Sequence, residues 1–180
     1  MASSTVSSHS SATVRTADEV VLINNAGVAR IPSPDAALSE LREIYNTTFA
    51  TNVTSIMATT HAFMPLLNAS SDPRVINISS ARASLHRSAT GINPPTASIS
   101  YSVSKAALNM YTVEIAKRHP DVLFHVANPG HCKTAFNGFR GVKNPLDGAR
   151  VVVELVMAER EMYRSGFWEC EGEGMREVEW

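Results

Sequence analysis

The stretch VVLINNAG (residues 20–27) decides how this chain folds. Its first four residues are apolar without a break, and the run stops at two asparagines, an alanine and a glycine. A strand with one wet face alternates apolar and polar side chains. An unbroken apolar run suits a strand covered on both faces, as in a parallel sheet. Working outward, RVINIS (74–79) and VLFHVANPG (122–130) repeat the pattern, and FWEC (167–170) has the length of a last short strand.

Helical material separates these runs. Ser33-Pro34-Asp35 carries the residue types of a helix start: a serine cap, a proline at the first position and an acid in the first turn. The pattern continues through ALSELREIY and, after a Thr-rich join, through ATNVTSIMATTHAFMPLL. The helix opening on YSVSKAALNMY (101–111) ends at Lys117-Arg118-His119-Pro120, basic residues before a proline stop. Asn144-Pro145 opens another, expected to close near Ser165-Gly166. Strands alternating with long helices imply βαβ crossovers in a parallel sheet, whose ligands bind at the carboxyl ends of the strands. Here those ends are NNAG, SS and NPG, so three turns converge on one rim.

Composition narrows the function classes. A chain of 180 residues, 44% hydrophobic and 18% charged, suits one globular domain. A net charge of −1 leaves no electrostatic footprint for nucleic acid or an anionic membrane. Even IMATTHAFMPLL is interrupted by Thr59, Thr60 and His61, so no stretch is apolar enough to span a bilayer. The two cysteines, Cys132 and Cys170, form no CxxC or metal-ligand spacing, which suits a reducing, cytoplasmic setting and no bound metal. Residues 1–19, rich in Ser and Thr, read as a disordered leader, and residues 20–180 as the folded domain.

Tyr101 and Lys105 stand one helical turn apart, on one face. A free phenol has a pKa near 10 and is a poor acid–base at neutral pH, but a neighbouring ammonium favours its ionised form. Ser80, at the end of a neighbouring strand, is placed to fix a substrate oxygen, and Asn52 to hold a water beside the lysine. Rival readings stand beside these: a solvated lysine at a surface helix start, Ser79 as the functional hydroxyl, Asn52 or Thr134 as a cap, and Cys132 as a structural thiol.

In order along the chain, NNAG (24–27), NV (52–53), NISS (77–80), YSVSK (101–105) and NPGHCKT (128–134) resemble the motifs of the short-chain dehydrogenase/reductase (SDR) family. SSARASLHRSATG and NPGHCKTAFNGFRG resemble its carbonyl-reductase-like members. The resemblance covers residues 20–168. It implies a partial doubly wound, Rossmann-type parallel sheet (strands 4–7 of the family fold) with flanking helices. It implies Ser80, Tyr101, Lys105 and Asn52 as catalytic residues. Asn25, Ala26, Gly27, Tyr101, Lys105, Pro129, Gly130, Cys132 and Thr134 would contact NADP or NAD. The substrate would be a small carbonyl or alcohol, and helices 49–67 and 101–118 would pair two copies in a homodimer.

The first glycine of the chain is Gly27. No Gly-rich phosphate loop precedes it, so the sequence reads as the catalytic half of an SDR without its adenosine-binding half. VVLIN would then be left as an open sheet edge. A non-catalytic, truncated paralogue acting as a dimer subunit is the second hypothesis. A sugar-nucleotide epimerase or dehydratase, which shares the Tyr/Lys pair, is the third. The segment ASLHRSATGINPPTA (83–97) lengthens the Ser80–Tyr101 interval and is expected to shape the substrate entrance. AFNGFRGVKN (135–144) is the expected specificity loop.

Overall fold

The computed structural model describes residues 11–16, 18–172 and 174–180, with backbone only for 11–16. A single six-stranded sheet runs β1 (Ser11–Thr16), β2 (Glu19–Asn24), β3 (Arg74–Ile78), β4 (Leu123–Asn128), β5 (Gly166–Glu171), β6 (Gly174–Glu177), in sequence order. The four strands β2 to β5 are parallel, and β1 and β6 pair antiparallel at the two edges.

The unbroken apolar runs have the cause expected of them. Side chains alternate across a strand, and each neighbour in VVLIN finds a different core. Leu22 and Val75 pack with Met64, Leu67, Val122 and Phe124 under α2 (Ser55–Asn68) and α4 (Ile99–Arg118). Val21 and Ile76 pack on the opposite face with Ala127, Val151 and Leu155, under α5 (Pro145–Met157). Helices therefore cover both faces, as a doubly wound sheet requires. Each fully buried Val, Leu or Ile contributes about 1.5–3 kcal/mol, so the two cores are the main stabilising term.

Several boundaries differ from the sequence-based expectation. Ser33-Pro34-Asp35 makes a turn, closed by Ala36 N–H to Ser33 O at 3.1 Å, and α1 starts only at Leu38 (Leu38–Phe49). The inward-facing residues of that helix begin at Ile44, so an earlier start would add turns with nothing to bury. The Thr-rich join is no break: α1 runs through a π-turn (Ala50–Thr54) straight into α2. Asn144 caps α5 as expected, its Oδ1 accepting from Leu146 N–H at 3.0 Å with Pro145 in the first turn. That helix ends at Met157, eight residues early. Part of the expected leader, residues 1–10, lies outside the described residues, whereas Ser11–Thr16 is a strand. It pairs along β2, so the edge expected to be open is covered, and the row of unpaired backbone groups it would have shown is satisfied.

Segment 83–97 is not a plain loop. A 3-10 turn (Ala81–Ala83) and a short helix α3 (Leu85–Ala89) fold it down beside the sheet, with Ser80 and Ser84 as the two caps. The C-terminal tail returns to meet it. Ser84 Oγ donates to Glu179 O (2.6 Å), His86 N–H to Trp180 O (3.1 Å), and the Trp180 ring lies 5.6 Å from that of Phe167.

Candidate functional site

The carboxyl ends of β2, β3 and β4 bring the rim residues together with α4 crossing above them. Helix α4 runs back along β3, joined to it by side-chain bonds at successive levels. Deepest, Asn77 donates from Nδ2 to Thr112 Oγ1 (2.9 Å) and accepts at Oδ1 from Asn24 Nδ2 (2.8 Å). One level up, Ser79 Oγ donates to Asn109 Oδ1 (2.8 Å). Lys105 Nζ donates to Ile78 O (2.7 Å), and at the top the Ser80 hydroxyl lies beside the Tyr101 phenol, close enough to pull its pKa down.

The two serines are thus separated by structure. Ser79 is buried and turned to Asn109; Ser80 is the one that reaches Tyr101. Ser80 Oγ also accepts from Arg82 N–H at 3.2 Å, which fixes its rotamer. Lys105 is 3% exposed, so the solvated-lysine reading does not hold.

Electrostatics depart from expectation in one respect. Burial pushes the Tyr101 phenol up to about 12, against a smaller downward pull from the Ser80 hydroxyl. Burial also lowers Lys105 to about 8. The ammonium, 6.0 Å from the phenol ring centroid, does not overcome the cost of placing a phenolate out of water. At neutral pH the arrangement is a protonated phenol beside a largely protonated lysine.

Asn52 lies in the π-turn with no exposure, and its amide is committed. Oδ1 accepts from Val28 N–H (2.8 Å), while Nδ2 donates to Val28 O (2.9 Å) and to Ser104 Oγ (2.9 Å). Ser104 Oγ in turn donates to Tyr101 O (2.7 Å). The side chain is a clip between the turn after β2 and the first turns of α4.

In the turn after β2, Gly27 is buried, Ala26 half-buried and Asn25 exposed. A Cβ at Gly27 would stand 3.6 Å from Lys105 Nζ and 3.7 Å from Asn52 Oδ1, filling the space over the ammonium. An ammonium carries three donors, and Ile78 O takes one, so the chemistry suits a vicinal pair of ribose hydroxyls. The residues present fit a nicotinamide riboside. Opposite them, Pro129 and Gly130 (φ +81°) form the turn after β4. Cys132 Sγ donates to Pro129 O (3.3 Å), and burial raises its pKa, the mark of a structural thiol. Its sulfur lies where a Cβ on Gly148 would come within 2.2 Å. Thr134 stands at a 3-10 turn (Ala135–Asn137) but makes no side-chain cap, which leaves the capping reading without support.

Three features escaped the sequence reading. Asn109 sits four residues past Lys105 and eight past Tyr101, a spacing that shares their face and was readable in principle. Phe136, in the expected specificity loop, places its ring 5.7 Å from that of Tyr101. Glu169, at the end of β5, receives Arg87 at both oxygens (3.0 and 2.6 Å), Arg176, and Asn128 Nδ2 (2.7 Å). Burial alone would raise its pKa; these bonds, Arg87 foremost, hold it at about 2. No signal in the sequence joins those four residues. Among the described residues no acidic, His or Cys cluster could hold a metal, and no helix is long and apolar enough to cross a membrane.

The sequence matches the model of the family described as short chain dehydrogenase over residues 4–143. It is similar to a short-chain dehydrogenase/reductase of Aspergillus fumigatus, 34% identical over 176 residues, covering 89% of this chain and 66% of the relative. A short-chain dehydrogenase of Penicillium roqueforti is 36% identical over 141 residues, covering 74% and 55%. This chain therefore spans between about half and two thirds of their lengths. Among solved structures, an NADPH-bound carbonyl reductase from chicken fatty liver superposes with a TM-score of 0.67 at 26% identity, covering 88% of this chain and 64% of that one. The carbonyl reductase Sniffer of D. melanogaster gives 0.70 at 24% identity, covering 91% and 67%.

Proposed function

This chain belongs to the short-chain dehydrogenase family, and on that premise we propose that it is an NAD(P)-dependent oxidoreductase acting on a carbonyl or secondary alcohol. One observation carries the reading: Lys105, buried and bonded to Ile78 O, lies under Gly27 one turn on from Tyr101, with Ser80 beside the phenol. Gly27 and Lys105 would hold the nicotinamide riboside, which would supply or accept the hydride when bound. Ser80 orients the substrate oxygen, and Tyr101 passes its phenolic proton to that oxygen as the carbonyl becomes an alkoxide. A phenol held at about 12 is a donor at neutral pH, which favours the reductive direction. Lys105 holds the ribose and keeps positive charge near the phenol. Asn52 fixes the turn carrying Gly27 and Val28.

Turnover of a small aromatic or aliphatic ketone with NADPH tests this. Tyr101→Phe is expected to lower kcat about 10²–10⁴-fold with the fold retained. Unchanged turnover in that variant would refute the acid–base role. Since Lys105 loses its proton near 8, reductive turnover is also expected to decline as pH rises through that value. A cytoplasmic setting belongs to the same reading, as does pairing of two copies through α2 and α4, whose outer faces expose Met57, Leu66, Val103 and Met110.

A non-catalytic paralogue is the rival reading. Saturable binding of NADPH by this chain counts against it; no binding of NADPH or NADH at millimolar concentration counts for it.

A further inference from the structure

The geometry points to Asn109 as a positioning residue: through Ser79 it sets the register of α4 on β3, and so the meeting of Ser80 with Tyr101. The inference deepens the oxidoreductase reading and rests on it for its functional meaning. Its structural content stands separately.

Side chains at Asn77 and Ser79 leave β3 on the same face, two residues apart, and both meet α4. Their partners, Thr112 and Asn109, are three residues apart and follow in reverse order. Helix and strand therefore run antiparallel, and two rungs are enough to stop α4 sliding or turning against the strand. The remaining contacts follow from that register. Lys105 is one turn nearer the rim than Asn109 and meets Ile78 O; Tyr101 is one turn further and meets Ser80. Ser79 is the residue bonded directly before Ser80, so a shift at the Ser79–Asn109 rung passes into Ser80 with no flexible residue between them.

Burial sharpens the point. Asn109 is 4% exposed and Ser79 3%, and the Asn109 Nδ2 group has no hydrogen-bond partner among the described residues. A buried donor without a partner costs stability, on the order of 1–3 kcal/mol. An asparagine kept solely for packing gains nothing from such an amide. The Asn109 Oδ1 bond to Ser79 is what the residue provides.

The test separates positioning from plain stability. Tyrosine labelled with ¹³C at Cζ gives one resonance for each of the four tyrosines, and Tyr101→Phe identifies the one that matters. Its shift at neutral pH reports the Ser80 hydroxyl beside the phenol, with Ser80→Ala as the reference for losing it. Asn109→Leu removes the rung and leaves Ser79 without its acceptor. The double variant Ser79→Ala/Asn109→Leu removes both partners and so relieves the unsatisfied group.

The expected result is that both variants carry the Tyr101 resonance most of the way to the Ser80→Ala value, while the double variant regains melting temperature lost by the single one. With NADPH and a ketone, kcat falls about 10–100-fold in both, with KM little changed. A Tyr101 resonance unmoved in both variants overturns the inference. So does one restored in the double variant together with stability, because the effect would then be a cost of burial and not of register. The resonance is read without turnover, so a chain that proves inactive sinks the enzymatic reading and leaves this test intact.

Discussion

Two regions meet at the rim and are held by different forces. The seam between β3 and α4 is built of short side-chain hydrogen bonds among buried Asn, Ser and Thr, with Lys105 the one cation in it. The corner between α3, β5 and β6 is built of charge, with Glu169 taking two arginines. Neutral bonds are directional and indifferent to pH and salt. Ion pairs tolerate looser geometry, respond to both, and fail badly when one partner is lost. The seam fixes Ser80 and Tyr101 against each other, where aim matters. The corner holds down the segment after Ser80, where strength matters more than aim.

Breaking the corner should have the largest effect on stability. Glu169→Ala leaves Arg87, 15% exposed, without its partner, and is expected to cost about 3–5 kcal/mol in denaturant unfolding. The Tyr101 resonance should stay in place in the part that remains folded. If it moved as far as in Ser80→Ala, corner and seam would be one unit. Next in size, Asn52→Ala removes three bonds to Val28 and Ser104 and is expected to cost about 1–3 kcal/mol, with weaker NADPH binding because the Gly27 turn is loosened.

Acid should separate the regions without mutation. His125, buried in β4 at the far end of the sheet, is lowered from 6.5 to about 4 by burial and then by Arg74. Its folded pKa lies below its unfolded one, so its contribution is whole above about 6.5 and is lost as pH falls to about 4. Glu169 behaves likewise one step lower, with stability present above 4.5 and lost towards about 2. The lower step should vanish in Glu169→Gln, and the upper one in His125→Asn. The smallest effect is expected at the tail. His86 and Glu179 pair at 2.8 Å but are 47% and 72% exposed, so Glu179→Gln should change stability by less than about 1 kcal/mol.

How much of this could be read from the chain depends on the range of the interaction. VVLIN and RVINIS were legible because burial on both faces leaves a local mark. That Tyr101, Lys105 and Ser80 would meet at one rim was legible because their spacing repeats a family's. The strand at Ser11–Thr16 and the tail strand β6 were not, since a strand paired at a sheet edge owes its existence to the edge. The π-turn at Ala50–Thr54 was hidden for a similar reason. It is set by Asn52 reaching back 24 residues to Val28, and threonines alone suggested a break. The Glu169 corner depends on pairings up to 82 residues apart. The phenol's pKa was expected to fall because the lysine was visible in the sequence and the desolvation was not.

The sulfur of Cys132, half-buried, sits against Gly148, with its own carbonyl against Gly141, so a group attached to it would crowd the contact between the turn after β4 and α5. Its labelling rate, read against that of the equally half-buried Cys170 in the same molecule, is therefore a clock for how closely that turn rests on α5. A ligand seated against Pro129 and Gly130 would slow that clock, whether or not any chemistry followed.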